Sequence, residues 1–186
     1  MSSSLYDVVY VIDASLSMGK GVGDFRPSKL KAVVETVAND ASYRVKSLQA
    51  RVGLVAFYGL AFPILPLTGN LELVIRSLSL LENTGEGSAP GDALIEAAKL
   101  LRGSIRKKSI ILITDGDLNM GAPIELAALY AYNNNVETCI ITIGGSKDRV
   151  KIRNQLDFLS SAGIIHWVHA PSRGEMIRTL KQCLGA

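Results

Sequence analysis

The sequence is poor in cysteine, histidine and aromatics. Cysteine occurs twice in 186 residues, at Cys139 and Cys183. Two such distant cysteines make no disulfide framework, and neither has a neighbour at zinc-ligand spacing. Cys139 lies in an apolar run and Cys183 in a predicted terminal helix. The expectation is therefore two reduced, mostly buried thiols in a cytoplasmic protein. Long hydrophobic runs are also missing. The run Ile110 to Ile113 is strand-length, which excludes a membrane span. The start, Met1-Ser2-Ser3-Ser4-Leu5-Tyr6-Asp7, has no basic stretch followed by an apolar one, which predicts no signal peptide. An excess of one charge is lacking too: 20 Lys and Arg face 17 Asp and Glu, a net +3 that is too weak to argue for nucleic acid. Aromatics make up 6% and are not interleaved with the basic clusters at Arg102, Arg106, Lys107 and Lys108 or at Lys147, Arg149, Lys151 and Arg153. Solvated faces are the default reading of such clusters. No repeat, linker or low-complexity stretch divides the chain, so residues 1–186 are expected to form a single domain.

What the sequence does contain is alternation. Short β-branched runs read as strands at Leu5–Ile12, Arg51–Phe57, Phe62–Leu65, Ser109–Thr114, Glu137–Ile143 and Ile164–Val168. Amphipathic stretches between them read as helices at Ser28–Ser47, Asn70–Leu81, Asp92–Arg102, Pro123–Asn133, Val150–Ser160 and Ser172–Leu184. Strands that are apolar throughout belong to a parallel sheet covered on both faces. Pro63 and Pro66 put the third strand at an edge. Right-handed crossovers then predict a doubly wound α/β sandwich.

Such a sheet binds its ligands outside the carboxyl ends of the strands, where the strand order reverses. The loops expected there are Asp13-Ala14-Ser15-Leu16-Ser17 after the first strand, Gly85 to Gly91 before the third helix, and Asp115-Gly116-Asp117 after the fourth strand. They bring two carboxylates, Asp13 and Asp115, and three serine hydroxyls. In an extended D-x-S-x-S segment, Asp13, Ser15 and Ser17 share one side. These are hard oxygen ligands, suited to Mg²⁺, Mn²⁺ or Ca²⁺ rather than zinc.

Taken together, these segments resemble the von Willebrand factor A (vWA) family. Asp13-Ala14-Ser15-Leu16-Ser17 is similar to its D-x-S-x-S loop, Ser88 stands three residues before Gly91-Asp92-Ala93-Leu94, and Thr114-Asp115-Gly116 is similar to its strand-end T-D-G. The resemblance runs from Leu5 to Leu184. It implies a Rossmann-like six-stranded sheet of order 3-2-1-4-5-6 with a short antiparallel edge strand 3. It also implies a metal-ion-dependent adhesion site. There Ser15, Ser17 and Ser88 bind Mg²⁺ or Mn²⁺ directly, Asp13 and Asp115 act mostly through water or from behind the direct ligands, and a partner's Asp or Glu often completes the coordination. Ser88 replaces the family's usual threonine and loses the methyl that restricts the rotamer. Thr84 is the fallback for that ligand.

Simpler readings compete. Ser15 and Ser17 could cap the turn that follows. Asp117 fits a loop cap, and Glu86 a solvated rim. His166 and His169 fit surface or packing roles on an edge strand. No G-x-S-x-G, P-loop or dinucleotide fingerprint is present, and Asp13-Ala14-Ser15 lacks the second carboxylate of a phosphatase D-x-D. The function expected is thus non-catalytic: a cytoplasmic adaptor or assembly factor that binds a protein carboxylate through a cation, without nucleic acid or membrane. The resemblance to small intracellular members suggests an AAA+ ATPase of the MoxR class as partner. The alternatives are a metal-assisted phosphoester hydrolase using the same cleft, and a structural subunit with a metal-free site.

Overall fold

The computed structural model describes residues 5–116, 120–145 and 153–183. The strands are β1 (Tyr6–Asp13), β2 (Arg51–Phe57), β3 (Ala61–Thr68), β4 (Lys107–Thr114), β5 (Val136–Ile143) and β6 (His166–Ala170). The helices are α1 (Lys29–Leu48), α2 (Leu71–Ser79), α3 (Pro90–Leu100), α4 (Ile124–Asn133), α5 (Arg153–Ser161) and α6 (Arg173–Gln182). A short 3-10 turn, Leu16–Gly19, follows β1 and was not foreseen from periodicity. One sheet forms in the order β3-β2-β1-β4-β5-β6, parallel except for β3. This is the predicted Rossmann-like order.

Burial on both faces explains why the central strands read as unbroken apolar runs. Val8, Tyr10 and Ile12 of β1 face α1, α2 and α6, where Leu30, Val33, Leu78 and Leu180 cover them. Val9 and Val11 face the other way, onto Leu94 and Ala97 of α3 and Ala127 and Ala131 of α4. Each such side chain contributes roughly 1.5–3 kcal/mol on burial. A one-residue slip would turn both sets over, so the register is tightly specified.

The helix starts obey their local signals. Ser28, Asn70 and Ser172 each accept a hydrogen bond from a backbone N–H in the first turn, and Pro90 opens α3. The third strand is longer than expected. Its antiparallel pairing with β2 shifts register between Val52 and Val55, with Pro63 opposite Val55. An edge strand tolerates the missing N–H of proline there.

One expectation is corrected. Cys139 and Cys183 are joined in a disulfide rather than reduced. They are 44 residues apart in sequence, but β5 and the end of α6 pack on the same face of the sheet and bring the Cα atoms to 5.9 Å. The thiol argument for a cytoplasmic setting falls away with it. Among the described residues, no helix is long and apolar enough to cross a membrane.

At the opposite end of the sheet from the candidate cleft, Asp7 is fully buried. Arg51, its register partner on β2, grips it through Nε at 2.9 Å and Nη2 at 2.6 Å, and Ser104 Oγ also donates to it. Burial pushes this carboxyl up. The hydrogen bonds from Arg51 and Ser104 and the charges of Arg51 and Arg106 outweigh that and hold it below the usual range. Because the folded pKa lies below the unfolded one, the stabilisation is complete above the ordinary value of 3.8 and is lost as pH falls through the folded value. Asp7→Asn should lose about 2 kcal/mol at neutral pH, a moderate cost because Arg51 is partly solvated. The gap from wild type should close below pH 3.8 in denaturant titrations run across pH. A gap that persists into stronger acid would show that the carboxylate charge is not what stabilises.

Candidate functional site

The strand order turns back between β1 and β4, so the cleft lies outside the carboxyl ends of these two neighbours. Asp13 is the last residue of β1, and Asp115 directly follows β4. The sheet thus brings together two carboxylates 102 positions apart in the chain.

Asp13 is completely buried. Its Oδ1 accepts a hydrogen bond from the Ser15 backbone N–H at 2.9 Å, and its Oδ2 accepts one from Thr114 Oγ1 at 2.6 Å. Burial pushes the carboxyl up to about 6; the hydrogen bonds from Ser15 and Thr114 oppose this, and the charge of Asp115 adds to it. A carboxylate held in such a negative, desolvated place favours a proton or a cation. With both oxygens already engaged by the protein, Asp13 is suited to act from behind the hydroxyls.

Ser15 and Ser17 stand with their Oγ atoms 3.1 Å apart. Two adjacent ligands of an octahedral cation with bonds near 2.1 Å are separated by about 3.0 Å, so the pair fits one ion. Ser15 occupies the N-cap position of the 3-10 turn, yet its side chain makes no capping hydrogen bond. The capping alternative therefore fails at Ser15, whose hydroxyl is left facing Ser17. The buried Met18 anchors the turn beneath the pair.

The loop before α3 is strapped to the β1 loop. Leu16 N–H donates to the Gly85 carbonyl at 3.0 Å, Thr84 N–H to the Ala14 carbonyl at 3.2 Å, and Asn83 Nδ2 to the Ser15 carbonyl at 2.9 Å. Gly85 has to be a glycine, since a Cβ there would lie 2.3 Å from the Tyr58 ring. Ser88 is buried in this loop, and its carbonyl accepts from Met120 N–H at 3.0 Å. Thr84, the fallback ligand, is exposed, as is Glu86 on the rim.

Asp115 is nearly buried. Its Oδ2 accepts a hydrogen bond from Lys29 Nζ at 2.7 Å, whereas its Oδ1 is buried with no hydrogen-bond partner among the described residues. A buried, unpaired carboxylate oxygen is costly unless something electropositive meets it. The unpartnered Oδ1 and the paired serine hydroxyls both fit a hard divalent cation. Among the described residues no cluster of three or more His, Cys, Asp or Glu could hold a metal. A site made mainly of hydroxyls would not form such a cluster.

Sequence reasoning missed two participants. Asp92 Oδ1 accepts from Ala122 N–H at 2.9 Å and ties α3 to the segment before α4. Lys29 was not singled out at all. Its one signal was local: a lysine in the first turn of a helix opposes the macrodipole and needs a compensating partner. His169 packs as expected, with Nδ1 3.0 Å from Thr142 Oγ1, and His166 is exposed. Of the basic clusters, Lys107 pairs with Glu137, Lys108 donates to the Asn134 carbonyl, and Arg153 pairs with Asp157. Asp117, Lys147, Arg149 and Lys151 lie outside the described residues.

A family model described as the von Willebrand factor type A domain matches residues 7–163. No curated protein matches the chain. Among solved structures, an aerotolerance-related membrane protein from Bacteroides fragilis is 20% identical, with 95% of this chain and 96% of that one covered at a TM-score of 0.76. The conserved hypothetical protein BatB from Bacteroides thetaiotaomicron is 19% identical over 97% of this chain and 99% of its own, with a TM-score of 0.77. The PilB minor pilin from Streptococcus sanguinis is 16% identical over 95% of this chain and 60% of its own, with a TM-score of 0.73. At these identities the likeness is one of fold.

Proposed function

The chain belongs to the von Willebrand factor type A family, whose domains typically serve as protein-interaction modules, and from that premise we propose that it binds a protein partner through a divalent cation. The reading rests chiefly on one observation: the Ser15 and Ser17 hydroxyls lie 3.1 Å apart after β1, and Asp115, at the end of the neighbouring β4, keeps a buried oxygen with no hydrogen-bond partner among the described residues.

Ser15, Ser17 and Ser88 would hold Mg²⁺ or Mn²⁺, with Asp13 and Asp115 behind them. Bound there, the cation supplies an electrophilic position open to an external Asp or Glu carboxylate. Asp13 orients the Ser15 segment by accepting its N–H, and Thr114 keeps Asp13 in place. Around the cleft, Leu16, Leu60 and Met120 present exposed apolar side chains that can bury against a partner. Affinity would combine the charge-assisted contact with this apolar burial. The chain acts here as an adaptor without catalysis. Its resemblance to small single-domain members makes an AAA+ ATPase of the MoxR class the first partner to try.

The test is calorimetric titration of chelator-stripped protein with Mg²⁺ and with Mn²⁺, with and without acetate as a carboxylate. One saturable site is expected. Asp13→Ala should weaken it about 100-fold, and Ser15→Ala about 10-fold with the fold intact by circular dichroism. If wild type takes up neither ion in either condition, the reading is wrong. Turnover of a generic phosphoester that Asp13→Ala abolishes would instead favour a hydrolase in the same cleft.

A further inference from the structure

Among the described residues, Lys29 is the buried cationic side chain of the cleft, which the hydroxyl-and-carboxylate reading leaves unused. It sits in the first turn of α1, is almost completely buried, and places Nζ 2.7 Å from Asp115 Oδ2. Its stem lies against Gly144, just after β5, where an added Cβ would stand 3.4 Å from Lys29 Cδ, an ordinary packing distance. Its backbone is fastened as well, since Lys29 N–H donates to the Lys20 carbonyl at 3.1 Å. A buried lysine at a helix N-terminus bears both a desolvation cost and an unfavourable dipole. The site retains it nonetheless, in contact with one of its two carboxylates.

We infer that Lys29 sets the charge of the metal site and so makes cation binding depend on an external carboxylate. The inference rests on the cation site proposed above. Asp13 and Asp115 against Lys29 leave one net negative charge. A divalent cation then converts the site to one net positive charge in a place that water reaches poorly. A carboxylate from outside cancels that charge, so cation and carboxylate bind cooperatively. Without Lys29 the two aspartates alone would neutralise the cation, and the external carboxylate would add little. Lys29 acts through Asp115, so it is a positioning and charge-setting residue.

The experiment compares wild type, Lys29→Met and Lys29→Arg by calorimetric titration with Mn²⁺, in acetate-free buffer and in saturating acetate. Lys29→Met should bind Mn²⁺ about tenfold more tightly than wild type without acetate. Acetate should strengthen Mn²⁺ binding in wild type by a clearly larger factor than in Lys29→Met. Lys29→Arg keeps the charge and should restore the acetate dependence, which a merely structural role would not predict. Equal or weaker binding by Lys29→Met, or equal acetate dependence in all three, overturns the inference while leaving the cation site standing. Absence of Mn²⁺ binding in every variant removes both. Binding by Lys29→Met alone, with none in wild type even in acetate, overturns the inference together with the wild-type cation site.

Discussion

Arg44→Ala should cost about 4 kcal/mol of folding stability, near the upper end for single substitutions. Arg44 is fully buried in the penultimate turn of α1. Its Nε donates to Asp40 Oδ2 at 2.6 Å, and its Nη2 donates to the Leu180 carbonyl at 2.8 Å. Tyr10 hydroxyl donates to the same Asp40 oxygen at 2.6 Å, and the guanidinium carbon lies 5.9 Å from the centre of the Tyr10 ring. The guanidinium thus joins α1, β1 and α6. Its removal leaves the Asp40 carboxylate, itself nearly buried, without a counter-charge, and strands a carbonyl in the last turn of α6. It also opens a cavity. Arg44→Met fills most of that space but provides no charge or donors, so it should recover only the packing share and remain about 2 kcal/mol below wild type. Denaturant midpoints of the three proteins measure this. If Arg44→Met matches wild type, the guanidinium contributes packing alone.

Gly91→Ala is expected to disturb both fold and site, at about 3 kcal/mol. Gly91 is the second residue of α3, and a Cβ there would fall 2.0 Å from the Ala122 carbonyl oxygen and 2.8 Å from its carbon. Both are backbone atoms, so no side chain can rotate away. The opposing segment is also tied down, by Met120 N–H on the Ser88 carbonyl and by Ala122 N–H on Asp92. Relief of the clash must break one of these ties and shift the Ser88 loop. Gly91→Ala should therefore lose Mn²⁺ affinity even at temperatures where it remains folded. Gly69→Ala is the control: nothing stands within 4 Å of its added Cβ, and its stability should change by less than about 0.5 kcal/mol. Normal stability in Gly91→Ala would mean that α3 and the segment before α4 separate freely.

These effects mark where sequence reasoning reached and where it stopped. The doubly wound sheet was legible because two covered faces demand apolar residues at every position, as in Ile110 to Ile113 and Val8 to Ile12. Pro63 and Pro66 put β3 at an edge, because proline cannot join a central ladder. Asp13, Ser15 and Ser17 were legible as a group because their spacing is local, and the structure holds them by bonds of short range.

Contacts between residues far apart in the chain were not legible. Lys29 meets Asp115 across 86 positions, Arg44 meets Leu180 across 136, and Cys139 meets Cys183 across 44. The residues by themselves determined the order of elements, the covered sheet and the loops that carry the candidate oxygen ligands, because periodicity and turn chemistry act between neighbours along the chain. The tertiary structure decided which charges face one another: Asp13 stripped of water, Asp115 half-claimed by a lysine, Arg44 sealed between two helices. Those outcomes depend on burial and on distances of a few ångströms, and only the packed chain supplies either.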